Sequence, residues 1–264
     1  MTNTPATIET ADFTTDSGLG TRGRIGLIVL QSDQTIEHEV ASLLGGDDIA
    51  IYHARIPNAM EVTPDTLRQM ETDLPHTASL LPPSFAFNAI GYACTSGATL
   101  IGEDRVDQII RQIHPDAKTS NPITATKKAL AALNIKRIAL LTPYAPEVTT
   151  EMQQNLRDAG FYINAVASFN ESDDFTVARI TSDSIYKAVL SIGSRDDCDG
   201  VFVSCTSLRA LEIIAQAEQQ LDKPVISSNQ ALAWHLAHIA ALNQRRQMQD
   251  VCLNCAVTYK YAGP

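Results

Sequence analysis

The sequence predicts an α/β protein of two similar lobes, each with a parallel sheet and helices on both faces. Short β-branched runs alternate with longer helical segments, and two segments of the first half recur in the second half at nearly the same offset. In both halves an apolar strand ends in Cys-Thr-Ser. Strands that alternate with amphipathic helices are typical of parallel sheets.

The alternation extends from residue 24 to residue 242. Runs of Val, Ile, Leu and Ala predict buried strands at 24–30, 49–54, 86–93, 137–141, 163–167, 200–204 and 225–227. Apolar residues three and four positions apart predict helices at 35–44, 64–80, 101–113, 122–133, 147–159, 182–192, 208–219 and 230–242.

The two halves of the chain resemble each other. RIGLIVL at Arg24 is similar to RIALLTP at Arg137, 113 positions later, and Cys-Thr-Ser at Cys94 recurs at Cys205, 111 positions later. Rossmann-like strands often look alike, but two segments that share an offset favour a duplication. We therefore expect a first lobe of residues 24–119 plus 229–264, a second lobe of 120–228, and a flexible N-terminal arm over 1–22.

The composition of the chain argues against some classes of binding partner. The chain has 264 residues and a net charge of −10, with scattered Lys and Arg, so nucleic acid and anionic membranes are not expected partners. No apolar run approaches the roughly 20 residues that span a bilayer. The start of the chain lacks the pattern of a secretory signal, and the five cysteines form no disulfide framework. We expect a cytoplasmic homo-oligomer that binds a small molecule.

The two Cys-Thr-Ser turns are the candidate catalytic residues. Each cysteine is predicted to lie at the carboxyl end of a strand and at the start of a helix, where ligands bind in parallel sheets and where the helix dipole lowers a thiol pKa. The hydroxyl groups and helix N–H groups beside them suit a carboxylate or an enolate-like oxyanion. The residues in question are Cys94, Thr95, Ser96, Cys205, Thr206 and Ser207.

A buried cysteine is commonly only a small apolar residue. Its repetition at equivalent points of both halves favours a functional role instead. Two thiols flanking one ligand would move a proton from one face of a carbon to the other. Glycine-rich nucleotide fingerprints are absent, and Cys252 and Cys255 lack the partners of a closed zinc site, so neither a cofactor nor a metal is expected.

Five segments together resemble the maleate isomerase and arylmalonate decarboxylase branch of the aspartate/glutamate racemase superfamily. The resemblance looks closest to the racemase-like proteins of ectoine utilisation. It implies two pseudo-symmetric Rossmann-like lobes with the active site between them, and neither a metal nor an organic cofactor. The segments are GLIVLQSDQTIEHE (26–39), GYACTSG (91–97), RIALLTPY (137–144), FVSCTSL (202–208) and VISSNQALAWHL (225–236).

The resemblance also implies roles for individual residues. Cys94 matches a nucleophile, Cys205 matches an acid/base, and Tyr144 and Asn170 match residues that bind the substrate. The decarboxylase keeps only the second cysteine, so the presence of both argues against decarboxylation.

Asp33 departs from the family pattern, because the isomerases have an asparagine at this point. A carboxylate would repel a dicarboxylate substrate and pair with a cationic nitrogen. The alternative interpretation of Asp33 is a cap for the following helix. We expect a racemase or isomerase of a small amino- or imino-carboxylate, in ectoine or hydroxyectoine catabolism. The alternatives are a maleate cis–trans isomerase and a non-catalytic ligand-binding protein.

Overall fold

The computed structural model describes residues 6–46 and 48–242. Its strands are β1 (Gly23–Leu30), β2 (Ile49–Ile56), β3 (Ala89–Ala93), β4 (Lys118–Ser120), β5 (Arg137–Thr142), β6 (Tyr162–Ser168), β7 (Gly200–Val203) and β8 (Val225–Ser227). Its helices are α1 (Ile36–Leu44), α2 (Pro64–Ser79), α3 (Thr95–Ile101), α4 (Glu103–Ile113), α5 (Pro122–Ala132), α6 (Pro146–Asp158), α7 (Asp174–Val177), α8 (Ser182–Gly193), α9 (Leu211–Leu221) and α10 (Ser228–Ile239). Cys252 and Cys255 lie outside the described residues.

The strands form two parallel sheets of four strands each. The first has the order β2-β1-β3-β4, and the second has the order β6-β5-β7-β8. The two orders are the same when each strand of the first half is matched with its counterpart in the second. This arrangement confirms the predicted α/β fold of two similar halves.

The apolar runs form strands because both faces of the sheets are covered. Every residue of β3 and β7 is buried, and so is all of β1 except Arg24. Such continuous apolar runs are the usual pattern of parallel strands, since helices pack on both faces. No helix of the described residues is long and apolar enough to cross a membrane.

The last described helix returns to the first sheet. α10 packs against α1, α5 and β3, although it follows the last strand of the second sheet. Leu232 and Leu236 contribute to the apolar cluster that also contains Ile25 and Leu27 of β1. The first residue of α10 therefore lies at the carboxyl ends of both sheets. The exact bounds of the two lobes stay a prediction.

β4 and α7 are absent from the sequence prediction, and α3 is predicted only through its start at Cys94. β4 has the sequence KTS, which carries no apolar pattern, and it forms because its backbone pairs with β3. α3 has the sequence TSGATLI, whose Thr and Gly residues are poor helix formers, and it is held by packing against α2 and α6. α7 is a single turn of four residues.

A buried carboxyl group of α1 connects the two halves. Glu39 Oε1 accepts a hydrogen bond of 3.1 Å from the backbone N–H of Leu211, and Oε2 accepts one of 2.7 Å from the Asn229 side chain. Asn229 also donates to the Thr206 carbonyl at 2.9 Å. Burial is the largest cause that raises the pKa of Glu39 to about 7, although both hydrogen bonds lower it.

The raised pKa of Glu39 predicts a stability that falls as pH rises from about 4.5 to about 7. In this range the unfolded carboxyl ionises while the folded one keeps its proton, so the folded state loses free energy relative to the unfolded state. The whole effect is about 3 kcal/mol, from about 1.4 kcal/mol for each pKa unit. Glu39→Gln should remove this slope in urea unfolding measured across the range.

The control is Glu37→Gln, since Glu37 lies on the same helix in a partly exposed pair with Arg55. The other titrating groups are common to the wild type and Glu39→Gln, so the difference between these two proteins isolates Glu39, whereas Glu37→Gln also removes a carboxylate that raises the pKa of His53. Parallel stability curves for the wild type and Glu39→Gln would contradict the prediction.

Candidate active site

Cys94 lies at the end of β3 and forms the N-cap of α3, as the sequence predicts. Its Sγ accepts a hydrogen bond of 3.2 Å from the backbone N–H of Gly97 and lies 3.7 Å from the Ser96 hydroxyl. A Cβ at position 97 would lie 2.9 Å from this sulfur and 2.6 Å from the Tyr92 hydroxyl oxygen. Glycine is therefore required for this close approach.

Cys205 occupies a different local structure. It follows β7, but the next helix, α9, begins only at Leu211, so the prediction that Cys205 opens a helix is wrong. The backbone φ of Cys205 is +128°, a conformation that costs a non-glycine residue on the order of 1–3 kcal/mol. The segment from Ser204 to Ala210 instead makes an irregular turn, and its contacts with α1 and α10 hold this backbone.

Both cysteines line one small cavity between the carboxyl ends of the two sheets. The predicted Thr95, Ser96, Tyr144 and Thr206 line it as well. Cys94 and Cys205 are 2% and 6% exposed. The cavity volume of about 20 Å³ is room for about one water molecule.

Ser228 fixes the two cysteine turns relative to each other. Its Oγ accepts hydrogen bonds from the Thr95 hydroxyl at 2.9 Å and from the backbone N–H of Cys205 at 3.1 Å. Ser228 is the first residue of α10 and is fully buried. The helix that returns to the first sheet thus holds Cys205 against the turn of Cys94.

Tyr144 connects the two halves of the cavity through its hydroxyl group. The residue is buried, and its hydroxyl interacts with the Cys205 thiol and the Ser96 hydroxyl. Burial raises the pKa of Tyr144 well above its usual value, so the phenol keeps its proton. It is a hydrogen-bond donor at this point of the site.

Burial keeps the two cavity thiols neutral. Burial is the largest cause that raises the pKa of Cys94 to about 12, and the Gly97 N–H and the Ser96 hydroxyl lower it only in part. Burial likewise raises the pKa of Cys205, with a further contribution from Asp174. The expectation of a lowered thiol pKa is therefore wrong for this state, because desolvation outweighs the helix N-terminus.

Three predicted residues lie outside the lining of the cavity. Asp33 is buried, and its Oδ1 accepts the backbone N–H groups of Thr35 at 2.8 Å and Ile36 at 2.9 Å, at the start of α1. Ser207 donates a hydrogen bond of 3.2 Å to Asp174 Oδ1. Asn170 is exposed, with a φ of +52°.

The structure adds a loop pair that the sequence does not indicate. Residues 57–62 cross to residues 172–174, where Val62 N–H donates to the Ser172 carbonyl at 2.9 Å and Asp174 N–H donates to the Met60 carbonyl at 3.0 Å. Asn58, Glu61 and Asp174 line the cavity from this side. The two segments are far apart in the chain and share no sequence pattern. Only the tertiary structure therefore shows that they pair and that they line the cavity.

The fold and the cavity define a two-lobed α/β protein with one cysteine from each lobe at a closed site. The arylmalonate decarboxylase family matches residues 25–251, which is most of the chain. This protein belongs to that family. Its predicted place next to the ectoine-utilisation proteins stays a prediction.

The relatives include maleate isomerases and an arylmalonate decarboxylase. A maleate isomerase of Pseudomonas putida is 25% identical over 236 residues, which cover 83% of this chain and 92% of that protein. An arylmalonate decarboxylase of Bordetella bronchiseptica is 29% identical over 118 residues, 44% of this chain and 49% of that protein.

Solved structures share the fold. A Pseudomonas putida maleate isomerase superposes with a TM-score of 0.79 at 22% identity, over 88% of this chain and 99% of that one. A mutant of the Nocardia farcinica maleate cis–trans isomerase carries a covalently bound succinylcysteine intermediate. It superposes with a TM-score of 0.74 at 24% identity, over 83% of this chain and 93% of that one.

The raised pKa of the two thiols predicts slow alkylation of the empty protein. At pH 8 we expect Cys94 and Cys205 to react with iodoacetamide at least about ten-fold more slowly than the same residues in the urea-unfolded chain, because the thiolate is the reacting form. Tandem mass spectrometry of tryptic peptides measures each rate separately, because fragment ions distinguish Cys205 from Cys198 on the shared peptide 196–209. Labelling of either cysteine as fast in the folded as in the unfolded protein would contradict the burial and ionisation described above.

Proposed function

We propose that this protein is a cofactor-independent isomerase of a small carboxylate, in which Cys94 and Cys205 are the catalytic residues. One observation carries the proposal: a cysteine from each of two equivalent turns lines the same buried cavity. Residues buried for packing alone would not be expected to meet there, since each belongs to a different sheet. A cytoplasmic location and a homo-oligomeric state are parts of the same proposal.

The first candidate reaction is cis–trans isomerisation of an unsaturated carboxylate, the reaction for which the maleate isomerase relatives are named. The Cys94 thiol first loses its proton to solvent, and the thiolate forms an S–C bond with one carbon of the double bond. The π electron pair moves into the adjacent carboxylate, and the new single bond rotates. The pair then returns, the S–C bond breaks, and the thiolate leaves.

The hydroxyl groups of the cavity suit the charged intermediate of this route. Thr95, Ser96 and Thr206 are buried and line the cavity, and the neutral Tyr144 phenol lies beside Cys205. Donors fixed in a dry cavity stabilise a developing oxyanion more strongly than water does. The succinylcysteine found in the Nocardia relative corresponds to the adduct of this route with one proton added to the carbon next to the S–C bond.

The second candidate is racemisation by proton transfer between the two thiols. One sulfur, as thiolate, removes the α-proton, and the electron pair spreads into the carboxylate. The opposite thiol gives its proton to the other face of the same carbon and becomes the thiolate. A specific observation favours this candidate: no Lys, Arg or His lines the cavity among the described residues, so the two carboxylates of maleate lack a cationic partner there.

Turnover in deuterated solvent distinguishes the two routes. The substrates to test by NMR are maleate, aspartate, 2,4-diaminobutyrate, ectoine, hydroxyectoine and the ring-opened products of the last two. The covalent route gives the trans isomer and need not incorporate deuterium, whereas the proton-transfer route incorporates deuterium at the α-carbon and forms no trans isomer. Turnover of an ectoine derivative would support a role in ectoine catabolism.

Cysteine variants test the proposed function itself. We expect Cys94→Ser to lower turnover at least about 100-fold by either route, and Cys205→Ser to do so by the proton-transfer route, since each removes a thiol that bonds to carbon or transfers a proton. The control is Cys198→Ser, because Cys198 is buried next to β7, away from the cavity lining. Full turnover in Cys94→Ser would refute the proposed catalytic role of the cavity thiols, and full turnover in Cys205→Ser would refute the proton-transfer route. Binding without turnover of every substrate by the wild type would favour a binding protein.

A further inference from the structure

The charged groups around the cavity all have one sign. Among the described residues that line it, Asp174 and Glu61 carry carboxyl groups, and no side chain carries a positive charge. Glu61 is exposed at the rim, whereas Asp174 is 3% exposed. A buried carboxylate without a cation is costly, because desolvation is compensated only in part by neutral donors.

Asp174 is held in a fixed position by neutral groups alone. Its Oδ2 accepts a hydrogen bond from the Ser32 hydroxyl, and its Oδ1 accepts one of 3.2 Å from the Ser207 hydroxyl. The two serines come from different halves of the chain, so the carboxyl group is fixed where the halves meet. The ion pairs of the described part of the chain do not include Asp174.

A second buried carboxyl group belongs to the same region. Asp33 is 3% exposed, and its Oδ2 has no hydrogen bond of standard geometry within the described residues, although the Thr206 hydroxyl lies near enough to lower its pKa. Asp33 and Asp174 interact electrostatically, and each raises the pKa of both thiols. The negative potential at the sulfurs therefore has two sources and no cation to balance it.

We propose that Asp174 is a specificity-determining residue that binds a cationic nitrogen of the substrate, so that the substrate is a small carboxylate with an ammonium or amidinium group. This inference rests on the proposed two-cysteine isomerase and holds for either reaction route. A ligand cation would supply the charge that the cavity lacks, and its N–H groups would bond to the carboxylate. In this arrangement Asp33 caps α1 and adds to the negative potential of the cavity, but it does not contact the ligand.

The opposite assignment is chemically distinct. A protonated Asp174 could donate a hydrogen bond to a substrate carboxylate, and a plain dicarboxylate would then bind best. Both oxygens of Asp174 already accept hydrogen bonds from serines, which favours the ionised form as soon as a cation is present. The two assignments predict opposite preferences between a ligand and the same ligand without its amino group.

Matched ligands separate these assignments. Calorimetric titration of the full-length wild type should show aspartate bound at least about ten-fold more tightly than succinate, and 2,4-diaminobutyrate at least about ten-fold more tightly than 4-aminobutyrate. Asp174→Asn keeps the shape and removes the charge, and it should reduce each preference to less than about three-fold. The control is Asp173→Asn, which makes the same charge change at the N-cap of α7, outside the cavity lining.

Each outcome decides the inference. Wild-type protein that binds succinate or maleate as tightly as aspartate, or that binds neither amino compound, overturns it, and this comparison needs no variant. A preference that survives Asp174→Asn also overturns it. Cys94→Ser should retain the preference, because binding needs no thiol chemistry. Loss of turnover in the cysteine variants without an amino preference would leave the proposed function standing and remove only the inference.

Discussion

The structure of the site depends on one buried hydroxyl group, that of Ser228, which accepts hydrogen bonds from both cysteine turns. Two separate sheets have no inherent reason to present their strand ends to the same point. α10 supplies that reason, because it follows the second sheet, packs on the first, and starts between the two. Glu39 and Asn229 extend the same polar contact towards α9, so buried hydrogen bonds add to the apolar core that the two halves share.

Burial has two opposing effects on the chemistry. It keeps the thiols neutral in the empty cavity, since a sulfur anion without solvent or a cation is costly. The same burial strengthens every interaction with a charged intermediate once a substrate occupies the site. The backbone of Cys205 adds a separate cost to stability, because surrounding contacts must hold it at a positive φ.

Family membership bears on the type of reaction, whereas the charge of the cavity bears on the choice of ligand. The relatives share the fold and the two-sheet arrangement, and their names indicate isomerisation or decarboxylation of small acids. The acidic lining of this cavity concerns the part of the ligand that does not react. We therefore propose that specificity follows from Asp174 and its serine partners, and that the type of reaction follows from the sulfurs.

The sequence by itself determined the alternation of strands and helices, the duplication, and the place of Cys94 and Cys205 at equivalent strand ends, because these depend on local periodicity and on repeated segments. Tertiary structure alone decided which side chains surround the sulfurs. Asp174 reaches the cavity through pairing of two loops that are distant in the chain, and Asp33 is turned towards the start of α1 by two backbone N–H groups. The sequence likewise could not decide the ionisation of the thiols. The helix start at Cys94 is a local feature that the sequence shows, but the desolvation that outweighs it comes from both lobes.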